Sequence, residues 1–195
     1  MHKNRLEAFS DGVFAILITI MVLELKIPHT ANLSGLSSLS SIFLSYVLSY
    51  IYIGIYWNNH HHLFQITKCV SGSILWANMH LLFWISMLPF VTAWSGVNNF
   101  ASFPVAMYGF VLFMAGAAYH ILTRTLISFH GKNAEISKAI GKDTKGKISV
   151  ILYAIAIPIA FYKPYIAMFF YILVAAMWII PDRRVEKVLN DESPE

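Results

Sequence analysis

The chain has 195 residues, 57% of them hydrophobic and only 12% charged, with a formal net charge of +4. That composition is far too apolar for an ordinary soluble domain and reads as an integral membrane protein. The positive excess belongs to a few short segments between apolar runs and gives no nucleic-acid-binding surface.

A helix crossing a hydrocarbon core roughly 30 Å thick needs about 20 mostly apolar residues. Runs of that kind lie near 11–27, 41–58, 72–94, 101–123, 147–162 and 165–181. They predict an all-α polytopic membrane fold with six transmembrane helices in a single domain spanning 1–195.

The first run sits in "RLEAFSDGVFAILITIMVLELKIP", from Arg5 to Pro28. Asp11 stands at its head and Glu24 near its far end, which at 1.5 Å per residue separates them by about 20 Å and puts one near each membrane face. Thr19 is the single polar side chain between them, and it shares a helical face with Ile16, Ile20 and Leu23. As a pattern, that stripe fits helix packing or lipid contact. Arg5 and Asp11 read as a local ion pair with Ser10 as the helix cap. Their spacing is not i+4, so a partner on another helix is an equal alternative, with Trp76, Asn78 or the histidines after the second run at a compatible depth. Lys3 and Arg5 ahead of an apolar run imitate a secretory signal, but Asp11 and Glu24 are poor features for a cleaved segment.

The linker "PHTANLSGLSSLSS" leads into the second run, which ends on "NNHHHLF". His60, His61 and His62 invite a metal reading, yet three consecutive histidines cannot all point one way on a helix, and Cys69 has no second cysteine beside it. Interfacial hydrogen bonding or a pH-sensitive element is the expectation, with no metal and no cofactor. His80 in the third run and His120 in the fourth are expected as buried polar links between helices, a proton path being the alternative. The fifth run is short, contains Pro158, and is separated from the sixth only by Lys163 and Pro164. A tight helical hairpin or a re-entrant pair fits that spacing.

Basic residues set the orientation. With the N-terminus inside, Lys3, Arg5, Lys68, Arg124, Lys132, Lys138, Lys142, Lys145, Lys147, Arg183, Arg184 and Lys187 are cytosolic, and only Lys26 and Lys163 face out. Both termini are therefore expected in the cytosol, with Cys69 a reduced thiol there. The basic stretch "GKDTKGKIS" is expected to meet anionic lipid headgroups.

The chain contains no GxSxG, HExxH or Walker glycine loop and no carboxylate dyad within the runs, so no enzyme is expected. A "TVGYG" filter is missing as well, and a channel built from this chain would not select with rings of backbone carbonyls.

The motifs "RLEAFSDGVFAI", "YWNNHHHLF" and "LWANMHLLFWISMLPFVTAWSG" resemble bacterial relatives of the lysosomal potassium channel, the transmembrane protein 175 family. The resemblance implies a homotetramer of six-helix chains in the bacterial plasma membrane, with the first helix of each subunit lining a central pore for potassium and other monovalent cations. Placed by the Phe9-Ser10-Asp11 motif, Ile16 falls on the hydrophobic constriction, Thr19 on the selectivity ring, and Ile20 and Leu23 on further apolar pore positions. Arg5, Phe9, Ser10 and Asp11 become anchors that fix the rotation of the helix, and Glu24 a cation attractor at the outer mouth. In the family pattern a basic residue often follows the double histidine; His62 stands there instead. A proton-coupled secondary transporter or a proton-permeable channel is the competing reading, although no internal repeat or pair of broken helices supports a transporter. A structural or sensing membrane protein is the third.

Overall fold

The computed structural model describes residues 3–28, 30–67, 69–131 and 143–179, and those residues are all helix or short connection. The helices are α1 (Asn4–Leu23), α2 (Leu33–Ser37), α3 (Ser40–Gln65), α4 (Gly72–Ser86), α5 (Leu88–Val97), α6 (Ser102–His130), α7 (Thr144–Tyr162) and α8 (Pro164–Ile179).

The first helix begins earlier than its apolar run and stops sooner. Arg5, Leu6, Glu7 and Ala8 are good helix formers, and the Leu6 and Glu7 amides both bond to the Lys3 carbonyl at 2.9 and 3.1 Å. Ser10 is therefore not a cap. It lies two turns inside α1, buried, its hydroxyl donating to the Leu6 carbonyl at 2.8 Å. Glu24 is the C-cap of α1, not a residue within it.

The linker holds the short α2, capped by the Asn32 side chain accepting from the Gly35 amide at 2.9 Å. The second run extends through the histidines to Gln65, so "NNHHHLF" is helix rather than a segment after it. Its C-terminal carbonyls are held from outside, as the Lys3 ammonium donates to Phe64 O at 2.6 Å and Gln65 O at 3.0 Å. Cations favour that end of a helix.

The third run breaks at Met87 into α4 and α5. Pro89 has no N–H to continue the ladder, which ends α4 and opens α5. The fourth run continues past Arg124 to Gly131, whose φ of 91° suits only glycine.

The fifth and sixth runs form a helical hairpin. Trp178 near the end of α8 donates from Nε1 to Ser149 Oγ near the start of α7 at 2.8 Å, so the helices lie antiparallel along each other. Residues 180–181 of the sixth predicted run lie outside the described residues. So do Lys68, Lys132, Lys138, Lys142, Arg183, Arg184 and Lys187.

Among the described residues five helices are long and apolar enough to cross a membrane: α1, α3, α4 with α5 counted as Gly72–Val97, α6 and α7. The sixth, α8, is apolar and has 16 described residues.

The interior joins α3, α6, α7 and α8 through tyrosines. Tyr52 donates to the Tyr171 carbonyl at 2.6 Å, Tyr153 to the Tyr52 hydroxyl at 3.1 Å, and Tyr171 to the Val105 carbonyl at 3.2 Å. Tyr108 meets Ser49 at 2.8 Å, and Ser49 meets Thr92 at 2.6 Å. Without a hydrophobic driving force between helices in lipid, close packing and such hydrogen bonds are what hold a bundle together. Gly109 is required there, because a Cβ on it would collide with the Tyr171 ring.

Candidate functional site

Helix α1 is held by one face and bare on the other. Leu6, Ser10, Phe14, Leu17 and Met21 are buried, at spacings of three and four residues, and they pack on α3, α4 and α5. Phe9, Ile16, Thr19, Ile20 and Leu23 are exposed; Ile16 is 58% and Leu23 82% open. Three of these residues are large aliphatics, which a soluble surface would not line up in one stripe.

A polar cluster fixes the rotation that produces this division. Ser10 gives its proton to the Leu6 carbonyl, so its oxygen accepts from Asn78 Nδ2 on α4 at 3.0 Å. That contact directs the Asn78 Oδ1 to His60 Nε2 on α3, 2.8 Å away. Since Oδ1 only accepts, His60 carries its proton on Nε2. Ser10, His60 and Asn78 are all buried. His60 is also wedged between Phe14 and Phe64, with ring centroids at 5.7 and 4.6 Å.

Asp11 takes a different partner. It accepts from Trp57 Nε1 at 3.0 Å. Arg5 and Asp11 are not an ion pair, because six residues on a helix place them on different faces, and Arg5 is exposed. Among the suggested partners, Asn78 and His60 belong to the cluster but meet Ser10, whereas Trp76 is 79% exposed and takes no part. Trp57, at the end of an apolar run, gave no signal of this pairing. Lys3, which reaches the end of α3 and lies 3.9 Å from Glu7, gave no signal beyond its charge.

The three histidines diverge as a helix requires. His60 is buried, His61 is exposed and stacked on Trp57 at 6.0 Å, and His62 is half-buried with its Nδ1 unpartnered among the described residues. Among the described residues no three His, Cys, Asp or Glu side chains gather as a metal site. His80 is not a link between helices, since it accepts from Trp84 one turn along α4 at 3.0 Å. His120 does join two helices, its Nδ1 facing Asp143, the N-cap of α7, at 3.2 Å, but its side chain is 40% exposed rather than buried.

On the bare stripe, the Thr19 hydroxyl donates to the Ile16 carbonyl at 2.7 Å. Its proton is thereby committed inward, and its oxygen presents lone pairs outward. Such an oxygen is a neutral ligand for a cation.

The model of the family described as "Endosomal/lysosomal potassium channel TMEM175" matches residues 5–89, which contain α1 from Arg5 onward, the Asp11–Trp57 contact and the Ser10–Asn78–His60 cluster. A protein of a Chryseobacterium strain named "Potassium channel HX13_20290" is 54% identical over 191 residues, covering 98% of this chain and all of that one. The chain belongs to the TMEM175 family. The crystal structure of "a lysosomal potassium-selective channel TMEM175 homolog" from Chamaesiphon minutus superimposes with a TM-score of 0.80 at 26% identity, over 92% of this chain and 97% of that one. The human "Endosomal/lysosomal proton channel TMEM175" is 29% identical over 116 residues, 53% of this chain and 23% of its own length. The TMEM175 family is one of ion channels, not of enzymes.

Proposed function

We propose that the chain is a potassium-selective channel of the bacterial plasma membrane, a homotetramer in which six spans per subunit surround a pore lined by α1. The supporting observation is the division of α1 into a pinned face and a bare stripe of Ile16, Thr19, Ile20 and Leu23. One such stripe encloses nothing, whereas four related by a rotation axis enclose a path. Ile16 is the hydrophobic constriction, which strips water from a permeating ion and closes by dewetting, and Ile20 and Leu23 continue the apolar wall. Four Thr19 oxygens partly replace the lost hydration. Potassium releases water at lower cost than sodium, so a tight neutral gap favours it. Arg5, Phe9, Ser10 and Asp11 belong to the cytosolic end of α1, where Ser10 and Asp11 set the direction in which Ile16 faces. Glu24, which lines a cleft between α1 and α5 with Ile20, Pro89 and Trp94, draws cations toward the mouth.

The distribution of basic residues along the sequence supports a cytosolic position for both termini. Potassium flux from proteoliposomes, measured beside sodium, tests the reading: faster potassium than sodium flux supports it, and an absence of flux overturns it. The names of the vertebrate relatives favour a second reading, proton permeation along the same path. A current whose reversal potential follows pH and ignores potassium would select it.

A further inference from the structure

We propose that a cavity of about 510 Å³ between α3, α6, α7 and α8 holds an acyl chain of one anionic phospholipid, with the headgroup against Lys147 and Arg124. No residue of α1 lines the cavity, so it takes no part in the proposed pore. Its walls are mostly apolar and aromatic, including Tyr52, Tyr56, Val150, Tyr153 and Trp178. The volume falls within the roughly 300–1,000 Å³ typical of small-molecule sites.

Two features make it a binding site for an amphiphile rather than a packing gap. The Tyr56 hydroxyl lines it with no hydrogen-bond partner among the described residues, and it lies 3.9 Å from where a side chain on Gly116 would start. The other feature is the charge at one end. Asp143 is already engaged, accepting from the Gly146 amide at 3.1 Å and facing His120 at 3.2 Å. Lys147 lines the cavity, is exposed, and forms no ion pair among the described residues. Arg124 is exposed and reaches His120 from Nε at 3.4 Å, and the Lys145 ammonium lies 5.9 Å from the Trp178 ring centre. Lys147 and Arg124 thus stand at an end where Asp143, the one carboxylate lining the cavity among the described residues, is committed, which selects a negatively charged headgroup over a neutral or cationic one. The choice of lipid rests on the proposed orientation, which puts this end at the cytosolic leaflet, where anionic lipids concentrate.

The test is native mass spectrometry of the full chain in detergent, titrated with dioleoyl phosphatidylglycerol and, separately, dioleoyl phosphatidylcholine. Phosphatidylglycerol is expected to bind more tightly, at one saturable site per chain. Losing one cation near the headgroup makes Lys147→Gln bind about fivefold more weakly. Ala117→Phe, which fills the cavity wall, removes the saturable site, while Lys163→Gln at the opposite end of α7 leaves it intact. Thermal unfolding of the same samples guards against misfolded variants: phosphatidylglycerol raises the wild-type midpoint more than phosphatidylcholine does, and Lys147→Gln loses that excess. Equal binding of the two lipids, or phosphatidylglycerol affinity unchanged in both cavity variants, would overturn the proposal. So would inorganic phosphate competing as well as the lipid, which needs no acyl chain. A protein that retains the lipid but passes no potassium keeps this inference and loses the channel reading.

Discussion

The Asn78 amide donates to the Ser10 hydroxyl across 3.0 Å, from α4 to α1, while its oxygen accepts from His60 on α3. Every hydrogen in this chain has one direction, because Ser10 has already given its own proton to the Leu6 carbonyl. Three helices are thus joined by a single buried amide. A rotation of α1 by even part of a turn breaks the contact, so the cluster resists any motion that would change the direction in which Ile16 faces.

Asn78→Leu leaves the His60 N–H buried and unpaired. The expected loss is about 2 kcal/mol, from the usual cost of orphaning a buried donor. Denaturant unfolding in micelles measures it, and an unshifted midpoint would place this cluster outside the energetics of the fold.

Trp57→Phe removes the partner of Asp11 but keeps an aromatic ring. Asp11 is exposed and water replaces the lost N–H, so the expected loss is only about 0.5–1 kcal/mol. The order of the two variants is the informative result, since an exposed contact costing more than the buried one would reverse the assignment of which contact anchors α1.

How far these features were legible depended on the kind of force behind them. The apolar runs located all the main helices because burial from water in a bilayer demands length and hydrophobicity, both written in composition. Their ends were not, since α1 and α3 continue through polar residues whose hydrogen bonds come from other helices, as with Ser10 and His60. The break at Met87 carried a signal in Pro89, which a hydropathy window passes over. Asn78 and His60 were within reach as candidate partners by depth, but Trp57 was not, because an indole near a run end looks the same whether it faces headgroups or a carboxylate. Which stripe of α1 would be bare came from resemblance to a family, since apolar periodicity alone fits lipid, protein and pore equally.

Ile16→Asn places an amide at the proposed constriction. Resting potassium conductance in planar bilayers is expected to rise several-fold, because a wetted gap no longer closes by excluding water. Unchanged conductance with protein confirmed in the bilayer would remove Ile16 from the gate.

Thr19→Val keeps the shape and deletes the oxygen. The expected outcome is a lower potassium-to-sodium permeability ratio, read as a shift of reversal potential under biionic conditions. If the potential stays where it was, the selectivity does not come from this ring.

In the proposed channel the bare stripe of α1 faces a shared axis, and thiol modification reports on that directly. In a Cys69→Ser background, Leu23→Cys and Ile16→Cys are each exposed to a methanethiosulfonate reagent during a potassium recording, with Phe43→Cys, exposed on α3, as the comparison. Current is expected to fall sharply for the two α1 positions and to stay level for Phe43→Cys. Full labelling of Leu23→Cys and Ile16→Cys, verified by mass, with no change in current would contradict a pore lined by this helix.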